Sequence, residues 1–226
     1  METRLINSFP FISYTKTTYE SNEMENRSRQ FYAWMNGRRT VRDFSDKPVP
    51  ESVVENILLS ASTAPSGAHK QPWTFCVVKD SAIKTQIRLA AEKEEMESYE
   101  NRMTEEWLKD LEPIGTDWQK PFLETAPYLI VIFKRSYELE AHNHKHQNYY
   151  VTESCGIACG FLLAAIHDAG LVALTHTPSP MNFLTKILNR PENEKPFLLI
   201  PIGYPADECW VPDLKRKTIS EIAVWI

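Results

Sequence analysis

The stretch Tyr149–Ala169 constrains the fold more than any other part of the chain. Its centre, Ile157-Ala158-Cys159-Gly160-Phe161-Leu162-Leu163-Ala164-Ala165-Ile166, has no charged side chain on any face. A helix that is apolar nearly all round must be buried on most sides, by its own domain or by a partner subunit. Gly156 and Gly160 lie four apart, so they share one face and let another helix approach closely. Packing, not catalysis, is the reading of that pair. Cys155 and Cys159 on the same helix read as buried core cysteines.

Around this helix, strands and helices alternate. Trp73–Val78 and Tyr128–Phe133 are short runs rich in aromatic and β-branched residues, and are predicted as buried strands. Leu171–Thr175 and Phe197–Ile202 are further strands, with a short helix near Phe183–Leu188. Val53, Val54, Ile57, Leu58 and Ala61 fall at helical spacing in Ser52–Thr63, which the Pro65-Ser66-Gly67 turn ends. A helix from about Glu25 to Asn36 carries Phe31, Trp34 and Met35 and stops at Gly37. Ser81–Leu111 reads as one long helix, acidic in its middle, and Ser136–Gln147 as a polar loop. The class is α/β or α+β. Residues 1–23 are expected to form an N-terminal arm and residues 24–226 the domain.

Composition excludes several functions. The chain has 226 residues and a net charge of −5, which argues against a general nucleic-acid binder. No apolar run is long enough for a membrane span, and Met1–Leu5 lacks a signal-peptide layout. Cys76, Cys155, Cys159 and Cys209 have no disulfide-framework spacing, so a cytoplasmic protein is expected. There is no Gly-x-Gly-x-x-Gly after a strand and no Gly-Lys-Ser/Thr, and seven glycines are few for a glycine-rich cofactor loop. Ser66 lacks a nucleophile-elbow context. His142, His144 and His146 alternate without a rigid partner set nearby, so a solvated loop and no metal are expected. Difficult chemistry would then fall to an organic cofactor.

Two strings are candidates for holding one. Arg38-Arg39-Thr40-Val41-Arg42 places three guanidinium forks within five residues, and such forks suit phosphate. Solvated pairing with acids explains them equally well. Arg216 joins the cluster only if the fold brings it back. Thr63-Ala64-Pro65-Ser66-Gly67-Ala68-His69 offers backbone amides for close approach to a ligand. Glu95 and Tyr99, four apart, point the same way, and with Lys120 they would suit an amino-acid zwitterion. A run of charge is ordinarily a solvated helix face, and the residues alone favour that reading.

The Arg38–Phe44 string, followed by Ala64-Pro65-Ser66-Gly67-Ala68-His69-Lys70-Gln71-Pro72-Trp73, resembles the nitroreductase-type flavin fold. With Thr125-Ala126-Pro127, Gly203-Tyr204-Pro205 and Val211–Lys217, the resemblance is to the iodotyrosine deiodinase family, over roughly residues 30–226. It implies an α+β, nitroreductase-like α-β-α fold in an intertwined homodimer with active sites at the interface. It implies FMN, held by Arg38, Arg39, Thr40, Val41, Arg42 and Arg216, with Pro65, Ser66 and Gly67 against the flavin. Thr175, His176 and Thr177 would lie near the ring, with Thr177 as the catalytic hydroxyl. Ala68 would offer its amide to the substrate phenolate, and Glu95, Tyr99 and Lys120, on a lid of about residues 92–121, would grip a halotyrosine. The implied reaction is reductive dehalogenation by stepwise electron transfer, with a reductase or NAD(P)H as electron donor. A general NAD(P)H-dependent nitroreductase or quinone reductase is the alternative. His176 departs from the family, whose vertebrate members carry a Thr there.

Overall fold

The computed structural model describes residues 2–141 and 144–226, so His142 of the histidine-rich segment lies outside the described residues. Two compact units divide the chain between Gly37 and Arg38. The first holds the hairpin β1 (Thr3–Ile6) and β2 (Phe9–Ile12), followed by α1 (Ser21–Gly37). No residue of α1 is buried within the chain; Trp34 and Met35 are half-buried, and the Phe31 and Trp34 rings lie 5.6 Å apart.

The second unit is built on an antiparallel sheet in the order β3-β4-β8-β7. These strands are β3 (Trp73–Val78), β4 (Tyr128–Arg135), β7 (Val172–Ala173) and β8 (Glu194–Gly203). Side chains of a strand alternate between faces, and β4 follows that rule through its length. Tyr128, Ile130 and Ile132 pack with Ile200 and Ile202 against α2 (Glu51–Ser62) and α6 (Val151–Asp168). Leu129, Val131 and Phe133 pack on the other face against α3 (Ser81–Glu97), α5 (Phe122–Thr125) and α7 (Asn182–Ile187). Both faces of the sheet are therefore covered, as the unbroken apolar runs of β4 and β8 require. Each fully buried Leu or Ile contributes roughly 1.5–3 kcal/mol. A bulge between Ile132 and Phe133 sets Phe133 opposite Pro196, a place where a strand tolerates a residue without an N–H.

Two expectations need correction. The acidic helix is not continuous. After α3 the chain makes a π-helical turn over Ser98–Arg102, extends at Met103, and restarts as α4 (Glu105–Leu111) with the Thr104 hydroxyl accepting from the Trp107 N–H. The polar segment before α6 is not a bare loop either. Tyr137–Leu139 (β5) pairs with Lys145–Gln147 (β6) as a hairpin, where cross-strand bonds satisfy its backbone.

The apolar helix α6 is buried on one face only within the chain, through Cys155, Ala158, Cys159, Leu162 and Ile166. Ile157 and Phe161 face out, and a Cβ added at Gly156 or Gly160 would meet open space. Gly170, at φ +73°, turns the chain out of α6, with its amide bonded to His167 O. Gly203 serves a different need: an added Cβ would lie 2.5 Å from Pro127 Cδ. Gly203→Ala is expected to destabilise the protein by about 1–3 kcal/mol through overpacking. That lowers the melting temperature by several degrees; an unchanged melting curve would show that the Pro127 ring yields freely. A last short helix, α8 (Ile219–Ile222), opens with a capping box between Thr218 and Glu221.

Candidate functional site

The arginine string does not form a regular strand but runs beside one. Thr40 bridges to Ala173 in parallel, and the Val41 amide donates to Ala173 O at 3.2 Å. Val41 turns inward and is buried, so its side chain joins the core rather than the cavity wall. The C-terminal segment returns along the same string. Ala206 and Trp210 amides donate to the Asp43 carbonyl and carboxylate, Arg39 donates to Pro212 O, and Arg216 Nη2 donates to Arg38 O at 2.9 Å. This return closes a cavity of about 370 Å³ lined by Arg38, Arg39, Thr40, Arg42, Lys215 and Arg216. Among the described residues no acid lines it. Burial lowers the Arg38 pKa, and the Arg216 and Arg39 charges lower it further. Crowding like charges this way is unfavourable unless an anion sits among them.

A second cavity, of about 210 Å³, adjoins the first: Arg42 and Thr175 line both. Its wall includes Glu95, Tyr99, Lys120, His176 and Thr177, so the fold brings together residues that lie far apart in sequence. Lys120 is only 3% exposed. Its Nζ lies 3.4 Å from Glu95 Oε2 and donates to Asp117 O and, weakly, to Thr116 Oγ1, while its amide donates to Glu92 Oε1 at 2.7 Å. Tyr99, on the π-helical turn, donates its hydroxyl to Thr116 O at 3.2 Å. Burial raises the Glu95 pKa and lowers that of Lys120, in each case outweighing their mutual attraction. The pair is thus held in a place where both charges ask for more compensation than each gives the other.

Residues 35–204 match the model of the Nitroreductase family. The chain is 63% identical to an iodotyrosine deiodinase of Haliscomenobacter hydrossis over 95% of this chain and 96% of that one. It is 46% identical to the human iodotyrosine deiodinase 1 over 95% of this chain and 75% of that one. It belongs to the iodotyrosine deiodinases of the nitroreductase family. A crystal structure of oxidised iodotyrosine deiodinase bound to FMN and 3-iodo-L-tyrosine superimposes with a TM-score of 0.71 at 33% identity, over 83% of this chain and 94% of that one.

In this iodotyrosine deiodinase relative, Pro65, Ser66, Gly67 and Ala68 line neither cavity of their own chain. They form a tight turn against the start of α6. A Cβ on Gly67 would lie 2.9 Å from Tyr149 O and from the Tyr150 ring, and Ser66 Oγ accepts from the Gln71 amide at 2.9 Å. Ala68, His69 and Gln71 all take positive φ, a strained run for residues with side chains. The second cavity also uses residues that reasoning from sequence passed over: Met103, Trp107 and Leu111 from the lid, and Phe122 beyond it. The signal was present, since Trp107 and Leu111 are four apart on one helical face.

The remaining candidates fall outside the two cavities. His146 is held by Glu140 at 2.6 Å on Nδ1 and by Lys70 at 3.1 Å on Nε2, so a carboxylate does stand within its reach. Among the described residues no His, Cys, Asp and Glu group has the makings of a metal site. Burial pushes the Cys155 and Cys159 thiols up to about 11 and about 12, which leaves them inert, as core cysteines are. Among the described residues no helix is long and apolar enough to cross a membrane.

Proposed function

We propose that this protein is an FMN-dependent reductive dehalogenase that converts iodotyrosine to tyrosine and iodide. The observation that carries the reading is the continuity of an acid-free arginine cavity with a chamber holding Glu95, Tyr99 and Lys120, through the shared walls of Arg42 and Thr175. The residues fit FMN because the arginines crowd together in want of an anion, in a cavity that no described acid lines.

When bound and reduced, FMN supplies the two electrons that, with one proton, exchange the aryl carbon–iodine bond for carbon–hydrogen and release iodide. The chain's own residues do the rest. Arg38, Arg39, Thr40, Arg42 and Arg216 hold the phosphate and the polar edge of the ring. Glu95 takes the substrate ammonium, Lys120 takes its carboxylate, and Tyr99 closes the lid over both, shutting out water. Thr177 presents its hydroxyl at the chamber wall, where it holds a proton for the reacting atoms. Pro65, Ser66, Gly67 and Ala68 reach the cofactor from a second copy of the chain. The open face of α6 beside them, with Ile157, Phe161, Gly156 and Gly160, is the surface on which that copy packs. Four free cysteines suit a reducing cytoplasm.

The test is direct. FMN-loaded protein is titrated with 3-iodotyrosine while flavin fluorescence is followed, then reduced without oxygen and assayed for iodide and tyrosine. Quenching followed by stoichiometric iodide is expected. Reduced protein that leaves 3-iodo-, 3-bromo- and 3-chlorotyrosine intact would overturn the proposal, and rapid oxidation of NAD(P)H with no preference for the zwitterion would point to a general nitroreductase. Thr177→Ala is expected to keep iodotyrosine affinity but slow iodide release about tenfold, the worth of one hydrogen bond made in the transition state. Unchanged release would remove Thr177 from the chemistry.

A further inference from the structure

His176 occupies an unusual place in the lid chamber. Its main chain is clamped on both sides, donating to and accepting from Leu199 at 2.8 and 3.0 Å. Its ring stands edge-on to Phe122, with centroids 5.9 Å apart at 85°. The residue is 7% exposed and lines the chamber, yet Nε2 is buried with no hydrogen-bond partner. A buried polar atom left unpaired costs free energy that a ligand recovers when it supplies the partner.

We infer that His176 is a specificity-determining residue whose Nε2–H donates to the α-carboxylate of the bound amino acid, alongside Lys120. The inference rests on the function proposed above and goes further, to what distinguishes an amino acid from its decarboxylated amine. Two features decide the direction of the hydrogen bond. Lys120 and Arg42 line the same chamber as His176, so an anion bound there meets cations beside the ring. Among the described residues the acid on the chamber wall is Glu95, and the substrate ammonium goes to it. Burial, then Lys120 and Arg42, lower the His176 pKa to about 3, so the ring contributes as a neutral donor and not as a third cation. A neutral donor adds directionality without adding to the repulsion between the two cations.

The test measures binding to oxidised, FMN-loaded protein by fluorescence quenching, so it needs no turnover. The ligands are 3-iodotyrosine and 3-iodotyramine, which lacks the carboxylate. His176→Phe keeps a ring against Phe122 and removes both nitrogens; His176→Gln returns an N–H near the position of Nε2. His176→Phe is expected to bind 3-iodotyrosine about tenfold more weakly and 3-iodotyramine unchanged, with FMN affinity retained. His176→Gln is expected to recover most of the loss. Equal weakening of both ligands, or no weakening of either, overturns the inference, as does loss of FMN from both variants, which would assign His176 to the fold. Failure of the unsubstituted protein to bind 3-iodotyrosine would instead sink the proposed function itself.

Discussion

Lys120→Ala is expected to weaken 3-iodotyrosine binding on the order of 1,000-fold while oxidised FMN stays in place. Lys120 is buried and is the cation beside Glu95, at 3.4 Å. Breaking a buried pair from one side costs about 3–5 kcal/mol because the other charge is stranded, and each 1.4 kcal/mol is about tenfold in affinity. Burial already raises the Glu95 carboxyl, and Lys120 is what holds it down. Without the lysine, Glu95 takes up a proton at higher pH and offers less charge to the substrate ammonium. Isothermal titration of the FMN-loaded variant checks this; equal loss of FMN and iodotyrosine would mean that Lys120 supports the fold instead. The same shifts set a pH window in the unsubstituted protein. Affinity should fall at low pH as Glu95 is protonated and at high pH as Lys120 loses its proton. Because the Glu95 pKa is raised and the Lys120 pKa lowered, the window is narrower at both ends than for free side chains.

The double change Arg38→Gln with Arg216→Gln should lower FMN affinity on the order of 1,000-fold. Hydrogen bonds to a charged group are worth about 1.5–3 kcal/mol each, and two guanidinium forks are removed. The FMN-free protein, however, should melt no lower than the unsubstituted one, since part of the mutual repulsion that lowers the Arg38 pKa is relieved. Opposite signs for cofactor affinity and cofactor-free stability are the diagnostic. If the FMN-free variant loses as much stability as the loaded one loses affinity, these arginines are structural ties, and the phosphate lies elsewhere.

The layered sheet was legible because β4 and β8 are apolar on both faces, and local composition is enough to say so. The arginine string was legible for a similar reason: three guanidinium groups within five residues need no folding to be seen together. Arg216 joined that string only through the family resemblance, since its bond to Arg38 spans 178 residues and depends on the path of the C-terminal segment. The break after Arg102 escaped a reading by helical period because the period continues across it, while the Thr104 cap and extended Met103 decide the geometry. For α6, uniform apolarity says that the helix is to be covered but not by what, and within the chain one face is buried while Ile157 and Phe161 stay exposed.

Arg42 and Thr175 each belong to both cavity walls. A ligand in one chamber therefore fixes part of the wall of the other. Whatever factor FMN contributes to the affinity for iodotyrosine, iodotyrosine must return to the affinity for FMN, since the two bindings form one thermodynamic cycle. A cofactor dissociation constant measured without substrate would then describe a looser holoenzyme than the one at work, and rising halotyrosine would itself recruit FMN to the protein.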